Sequence, residues 1–147
     1  MSEPAHIVVA CVVEREGRYL IVEERIGERS LFNQPAGHWE RGETLIEGAR
    51  REALEETGWA VEPTDLLGIY HHEPADLGYG FLRIAFVARA VRHHADRPLD
   101  DGIERALWLT REELLITRAR HRSPMVLRCI DDYQAGRRLP LSAIAHL

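Results

Sequence analysis

The chain has 147 residues, of which 45% are hydrophobic, and this is enough apolar material for one globular domain over residues 1–147. Its formal net charge of −5 gives no reason to expect nonspecific binding of nucleic acid. The first residues lack a signal pattern, and the longest apolar run, residues 7–13, is too short to cross a bilayer. We therefore expect a cytoplasmic protein with no membrane partner and no nucleic-acid partner.

Short hydrophobic runs alternate with amphipathic segments along the chain. The predicted strands are residues 7–13, 19–24, 66–72, 79–91 and 107–109. In the 79–91 strand, even-numbered residues from 82 to 90 point to one face and odd-numbered residues from 81 to 89 point to the other. Helices are predicted to follow Thr44, Thr110 and Ser123, and the last helix ends at Gly136.

The helix after Thr44 has well-marked ends. Thr44 and Glu47 form a T-x-x-E capping box, and Gly58 stands where a left-handed residue ends a helix. Ala49 and Ala53 are small and are expected mostly opposite the acidic residues of this helix. The pattern therefore predicts a helix with one side packed closely on a sheet and another side free for a site.

Glu52, Glu55 and Glu56 stand at i, i+3 and i+4 of this helix and share one face. Three neighbouring carboxylates repel one another, whereas a hard divalent cation needs several oxygen ligands close together. Residues 34–38, just ahead, read as a loop that brings backbone near the same place. The alternative is a solvated acidic face, which is the more common reason for such a cluster.

The spacing around the cluster favours a site. Residues 37–59 match the pattern G-x5-E-x7-R-E-U-x-E-E-x-G-U at every specified position, and Ala53 and Trp59 fill the apolar places. This pattern is the Nudix box, and the chain therefore resembles the Nudix hydrolase family. The resemblance implies an α/β fold, an α/β/α sandwich in which a mixed β-sheet is packed between helices. The order of the predicted elements suits this fold.

The resemblance also implies a reaction, the Mg²⁺-dependent hydrolysis of phosphoanhydrides, in which Mn²⁺ can substitute. The metal ligands that it implies are Glu52, Glu55, Glu56 and the backbone carbonyl of Ala36 or Gly37. Arg51 would hold a glutamate by an ion pair, because its fork matches a carboxylate. Glu43 would brace the loop against the helix. Glu55 is alternatively the general base, because the base varies among Nudix enzymes.

Pieces outside the box resemble the NudJ-type phosphatases, a bacterial group within this family. The matching pieces are residues 9–13, 22–24, 33–38, 122–124, 133–137 and 140–141. Ala36 stands where most Nudix proteins have the first glycine of Pro-Gly-Gly. This closer resemblance implies release of phosphate from nucleoside tri- and diphosphates and from hydroxymethylpyrimidine pyrophosphate, a thiamine precursor.

Five residues outside the box are further candidates. Glu104 precedes the last strand and is a candidate metal ligand or base, or else a surface glutamate. Phe81 and Arg83 share a strand face, where they would stack on a ring and hold a phosphate; the alternative is a core aromatic and a surface arginine. Asn33 and Gln34 either contact the leaving group or satisfy turn backbone.

Other functions stay open at this point. Pro74 is a hint of an ADP-ribose or nucleotide-sugar pyrophosphatase, and the basic run at residues 118–122 would suit an RNA 5′-end pyrophosphohydrolase if it is not simply a solvated, paired surface. A non-catalytic nucleotide sensor is a third reading, although such domains commonly lose box glutamates. The expected partner is a small nucleotide or pyrophosphate, and the chain is a monomer or a homodimer.

Overall fold

A mixed seven-stranded β-sheet organises the molecule, whose computed structural model describes residues 3–147. The strands are β1 (His6–Arg15), β2 (Arg18–Ile26), β3 (Arg29–Asn33), β4 (Ala36–His38), β5 (Trp59–His72), β6 (Phe81–His93) and β7 (Ile103–Leu109). The helices are α1 (Leu45–Thr57), α2 (Arg111–Ile116) and α3 (Met125–Gln134), with short 3₁₀ turns at Arg118–Arg120 and Leu141–Ala143. Within residues 3–147, no helix has the length and apolar character needed to cross a membrane.

One edge of strand β1 pairs with two different strands along its length. Its other edge pairs in parallel with β6, which in turn pairs antiparallel with β5. On the divided edge, β1 pairs with β4 at residues 8–10 and with β2 only at Glu14 and Arg15, while β2 carries β3 and β7 on its two sides. The Cys11 N–H donates to the Pro35 carbonyl at 3.1 Å in the gap between these partners. The segment leading to α1 is thereby fixed at the centre of the sheet.

Both faces of the sheet are buried, as an α/β/α sandwich requires. On one face, Ala49 and Ala53 of α1 pack with a cluster that includes Phe86. On the other face, Cys129 and Ile130 of α3 pack with a second cluster. Even-numbered residues of β6 join the first cluster and odd-numbered residues join the second, which confirms the predicted alternation.

Four parts of the sheet differ from the sequence prediction. Strands β3 and β4 occupy residues for which no strand was expected. Strand β5 begins at Trp59 rather than at residue 66, and β7 begins at Ile103 rather than at residue 107. The early part of β5 contains Pro63, which cannot donate a ladder hydrogen bond, and the β5–β6 register shifts there. Because of this irregularity, the first half of β5 lacks the regular alternation of side chains by which a strand is predicted from sequence.

The ends of α1 are as predicted, but its acidic face is not. The Thr44 hydroxyl accepts from the Glu47 N–H at 3.0 Å, the Glu47 carboxylate accepts from the Thr44 N–H at 2.7 Å, and Gly58 is left-handed with φ 75°. Glu52 and Glu56 are each only 8% exposed. They lie beside the alanines and not opposite them, because residues 49, 52, 53 and 56 form one stripe of a helix.

The caps of the last two helices also follow the prediction. Thr110 begins α2 with a second reciprocal capping box. The Ser123 hydroxyl accepts from the Met125 N–H at 3.1 Å at the start of α3. Pro124 already has helical dihedral angles, and Gly136 is left-handed just beyond the last turn.

Glu23 links β2 to β7 and to the 3₁₀ turn at Arg118–Arg120, and we expect Glu23→Gln to weaken the fold in a pH-dependent way. Its buried carboxylate accepts from Arg105 of β7 at 2.6 Å and from Arg120. Burial raises the pKa of Glu23, but the two arginines outweigh it and hold the pKa below its ordinary value. A lowered folded-state pKa gives stability that is present above about pH 4.5 and lost as the pH falls further.

The substitution should therefore cost about 1–2 kcal/mol of unfolding free energy at neutral pH, and less below pH 4. Urea unfolding of both proteins at pH 7 and pH 3.5 measures this. An equal loss at the two pH values would contradict the assignment.

Candidate active site

A cavity of about 860 Å³ opens between the sheet, α1 and the start of α3. Since α1 and α3 cover opposite faces of the sheet, the cavity has an α1 side and an α3 side. The α1 side is lined by Gly37, Arg51, Glu52, Glu55, Glu56 and Asp100. The α3 side is lined by residues that include Val8, Asn33, Phe81, Arg83 and Met125. One side is thus acidic, and the other combines apolar groups with one buried cation.

Three carboxylates converge on the α1 side. Oxygen atoms of Glu52, Glu55 and Asp100 all lie within 4.8 Å of one another. Asp100 reaches the cluster because its backbone N–H donates to the Glu55 carbonyl at 3.0 Å, while the His94 N–H donates to the Gly58 carbonyl at 2.7 Å. Residues 94–100 are thereby bound to the last turn of α1. Such a set of oxygen atoms fits a hard divalent cation such as Mg²⁺.

Glu56 lies beside these three carboxylates and is as buried as Glu52. Its carboxylate accepts from the Ala36 N–H at 2.9 Å. Burial, together with the charges of neighbouring carboxylates such as Glu52, raises the pKa of Glu56 to about 9. Burial likewise raises the pKa of Glu52, opposed by Arg51. The α1 side of the cavity therefore has too little positive charge to ionise all its carboxyl groups, and a bound cation would supply that charge.

Arg51 connects the carboxylates on the α1 side of the cavity. Its guanidinium donates to Glu43 at 2.8 and 2.9 Å, to Glu52 at 2.8 Å and to Glu55 at 3.2 Å. It also donates to the His38 carbonyl at 3.1 Å, which attaches β4 to α1. The hydrogen bonds from Arg51 hold the pKa of Glu43 below its ordinary value. One side chain thus fixes both the loop ahead of α1 and the carboxylates on α1.

Arg83 is the principal polar group on the α3 side, and it is only 2% exposed. Its guanidinium donates to the Gln34 side-chain oxygen at 2.7 Å and to the Asn33 side-chain oxygen at 2.9 Å. Gln34, 1% exposed, also donates to the Val126 carbonyl at 2.8 Å. Phe81 is half-buried on the same strand face. The alternative of a surface arginine is therefore wrong.

The sequence model of the NUDIX domain matches residues 4–129. The chain belongs to the Nudix family. It is 41% identical over 139 residues to phosphatase NudJ of Escherichia coli K12, covering 95% of this chain and 90% of that protein, and equally similar to phosphatase NudJ of Shigella flexneri. These similarities make it a hydrolase.

Solved structures agree with this assignment. A NUDIX hydrolase from Nitrosomonas europaea superimposes with a TM-score of 0.95 at 44% identity over 97% of both chains. A MutT NUDIX hydrolase from Burkholderia pseudomallei superimposes with a TM-score of 0.73 at 21% identity, covering 88% of this chain and 98% of that one. At that lower identity, the likeness shows the fold alone.

Gly37 of the Nudix box is required by its contact with Glu52, and we expect Gly37→Ala to lower kcat/KM about 10–100-fold. A Cβ added at Gly37 would overlap the carboxyl group of Glu52 and push it out of the cluster. The carboxyl group is the far end of a flexible side chain, so the melting temperature should change little. Steady-state kinetics and thermal unfolding measure the two effects.

Gly68→Ala is the matched control for this substitution. A Cβ added at Gly68, also in a strand, would meet Arg137 at an ordinary 3.4 Å. If Gly37→Ala kept the kinetics of the control, the position of the Glu52 carboxylate would be irrelevant to turnover.

Two sequence candidates lie outside the cavity lining. Glu104 contacts the Ser30 hydroxyl and lies 3.9 Å from Arg25. Gln34 is buried beneath the cavity wall, where it positions Arg83 and does not face the leaving group. The structure therefore joins neither side chain to the acidic cluster.

One residue of the site was missed by the sequence analysis. Asp100 lies within a polar loop that no spacing rule connects to α1, so only the folded chain brings it to Glu55. Its proximity to the box in space, not in sequence, identifies it. Asn33, which was predicted either to contact the leaving group or to satisfy turn backbone, lines the cavity at the end of β3.

The basic run at residues 118–122 is mostly engaged in the fold. Arg120 contacts Glu23, and Arg122 donates to Glu24 at 2.6 Å at the rim of the cavity. These contacts favour the interpretation as a paired surface over an RNA-binding patch.

Proposed function

We propose that this Nudix hydrolase is a Mg²⁺-dependent phosphatase that releases phosphate from nucleoside tri- and diphosphates and from hydroxymethylpyrimidine pyrophosphate. The observation that carries the proposal is the convergence of Glu52, Glu55 and Asp100 within 4.8 Å at one side of a large cavity. The 41% identity to phosphatase NudJ across 95% of the chain supports the choice of reaction.

The proposed metal site uses only oxygen atoms. Its ligands are drawn from Glu52, Glu55, Glu56, Asp100 and the backbone carbonyl of Gly37. The chemistry of this set fits Mg²⁺, and Mn²⁺ would substitute because it accepts the same oxygen ligands. When bound, Mg²⁺ supplies charge neutralisation to the phosphate oxygens and lowers the pKa of water. Without a cation, the ionised carboxylates of this cluster would repel a polyphosphate.

The side chains around the site have separate roles in the proposal. Glu55 is half-buried at the cavity wall and accepts the proton of the attacking water. Arg51 is a positioning residue, because it holds Glu43, Glu52 and Glu55 by charge-assisted hydrogen bonds. Phe81 and Arg83 take the part of the substrate that is not hydrolysed. Glu104, bonded to Ser30 outside the cavity, has no part in this scheme.

The test is a substrate panel in Mg²⁺ that separates released phosphate from released pyrophosphate or AMP. The panel contains nucleoside di- and triphosphates, hydroxymethylpyrimidine pyrophosphate, ADP-ribose and a triphosphate-ended RNA. We expect phosphate from the nucleotides and from the pyrimidine compound, and no turnover in EDTA. AMP and ribose phosphate from ADP-ribose alone would overturn the substrate assignment and keep the hydrolase. Nucleotide binding without any turnover would instead point to a sensor.

A further inference from the structure

Three arginines line the cavity, and they differ in the hydrogen-bonding capacity that the fold leaves them. Arg51 already donates to three carboxylates. Arg83 is 2% exposed, and its Nε–H is enclosed without an acceptor. The Arg122 side chain, in contrast, is 39% exposed at the rim and contacts one carboxylate, that of Glu24, at 2.6 Å. Of the three, Arg122 is therefore the arginine that can meet a ligand without giving up its contacts in the fold.

The contact with Glu24 uses one nitrogen of the Arg122 guanidinium. Glu24 accepts from Nη1, and within residues 3–147 neither Nε nor Nη2 donates to a protein atom. These two nitrogens form the edge of the guanidinium whose parallel N–H groups match two oxygens of one acceptor group. Since the residue is exposed and lines the cavity, this edge remains for a ligand that enters there.

The backbone holds this ion pair beside the acidic cluster. The Arg122 N–H donates to the Phe32 carbonyl of β3 at 2.8 Å, which fixes the start of the α3 segment on the sheet. Glu24 of β2 pairs with Ile103 of β7, and the Ile103 N–H donates to the Asp100 carbonyl at 3.1 Å. A continuous set of contacts thus connects the guanidinium to the loop that supplies Asp100 to the cluster.

The free edge fits the end of a phosphate chain better than its middle. A terminal phosphoryl group has three non-bridging oxygens, whereas an internal phosphate has two. Cations in phosphoryl-transfer sites bind oxygens of neighbouring phosphates, so a cation at the acidic cluster would use one oxygen of each. Two oxygens then remain on a terminal group and one on an internal phosphate. An arginine edge, which donates two parallel hydrogen bonds, matches the terminal group.

We propose that Arg122 binds the terminal phosphoryl group of the substrate through Nε and Nη2, while Glu24 holds the guanidinium in place. This rests on the proposed function, because it assigns a ligand for the phosphate that the enzyme releases. A terminal phosphoryl group is common to nucleoside di- and triphosphates and to the pyrimidine pyrophosphate, so Arg122 serves all of them whatever their ring. A diphosphate esterified at both ends, such as ADP-ribose, lacks this group.

The experiment compares the wild type with Arg122→Met, Arg122→Lys, Glu24→Gln and the control Arg118→Met, an exposed arginine outside the cavity lining. In Mg²⁺, steady-state kinetics give kcat/KM for ADP and CDP. Calorimetry gives the affinity for α,β-methylene-ADP, which keeps the terminal group and has a CH₂ bridge in place of the hydrolysed oxygen. Thermal unfolding shows whether each variant is folded.

Arg122→Met should lower kcat/KM for both nucleotides, and the affinity for the analogue, by about 10–100-fold, because hydrogen bonds to a charged group are lost. Arg122→Lys should recover part of this loss, since an ammonium group keeps the charge and lacks the fork. Glu24→Gln keeps the arginine and removes its anchor, so it should lose less than Arg122→Met. Arg118→Met should stay within about threefold of the wild type.

Each alternative outcome has a defined meaning. Wild-type kinetics and affinity in Arg122→Met overturn the inference, and so does a loss confined to one base. Equal losses in Glu24→Gln and Arg122→Met also overturn it, because the ion pair and not a phosphate contact then matters. If Arg122→Met does not fold, Arg122→Lys decides, since full wild-type affinity there excludes the fork contact. If nothing is hydrolysed, the proposed function fails, and the affinity for α,β-methylene-ADP still decides the role of Arg122.

Discussion

Glu56→Gln is expected to lower kcat/KM at least about 10²–10³-fold while leaving the fold intact. The proposed metal site loses a charged ligand in this variant, and an amide is a poor replacement for a carboxylate at a hard cation. Burial raises the pKa of Glu56 to about 9, so the metal-free protein at neutral pH carries a protonated carboxyl group there. Glutamine is close to that group in size and charge, so the metal-free fold should be unaffected.

The measurements are steady-state kinetics and thermal unfolding with and without Mg²⁺. A ligand that binds only the folded state raises the melting temperature by mass action, so Mg²⁺ should stabilise the wild type and not Glu56→Gln. Glu62→Gln is the control, since the Glu62 side chain is about half exposed and contacts only Arg50 among the salt bridges of the described chain. Wild-type turnover in Glu56→Gln would remove Glu56 from the metal site.

Arg51→Met is expected to reduce both stability and activity. Arg51 contacts Glu43 and Glu52, whose side chains are 15% and 11% exposed, so its loss leaves two largely buried carboxylates unpaired. Breaking a buried ion pair by removing one partner is strongly destabilising, and for this partly buried cluster we expect about 2–4 kcal/mol. Because Arg51 also positions Glu55, kcat should fall more than KM rises.

Arg50→Met is the matched control, one position earlier on α1. Arg50 contacts a single carboxylate, that of Glu62, and both side chains are about half exposed, so its loss should cost less than about 1 kcal/mol. Urea unfolding of the two variants gives the comparison. Equal losses would mean that the Arg51 cluster behaves as an ordinary surface ion pair.

The sequence predicts the best-defined parts of this molecule because local rules determine them. The capping box at Thr44 and the left-handed Gly58 depend on neighbouring residues, and both appear as expected. The packing of β6 on both faces of the sheet was predictable because successive side chains of a strand point to opposite faces. Strands β3 and β4 were not predicted because they are short and partly polar, and they are strands only through their pairing with β2 and β1.

The site was predictable only as far as the Nudix box extends. Glu52, Glu55 and Glu56 share a helix face by spacing alone. The position of Asp100 in the carboxylate cluster depends on the hydrogen bond from its backbone N–H to the Glu55 carbonyl, far away in the sequence. The burial of Arg83 depends on Asn33 and Gln34, which lie some fifty residues earlier. Contacts of that kind are set by the packing of distant elements, which one sequence does not reveal.

The attachment of residues 94–100 to α1 has a consequence for how such an enzyme can change over time. This segment supplies backbone N–H donors to two carbonyls at the end of the helix and, through Asp100, one carboxylate to the acidic cluster. A connecting loop tolerates substitution and length changes better than a helix that is packed on both a sheet and a cluster. Asp100 is therefore the carboxylate of this cluster that can be substituted with the least disturbance of α1. A substitution or length change in this loop would alter the set of metal ligands, and with it the preferred cation, without changing the sequence of α1.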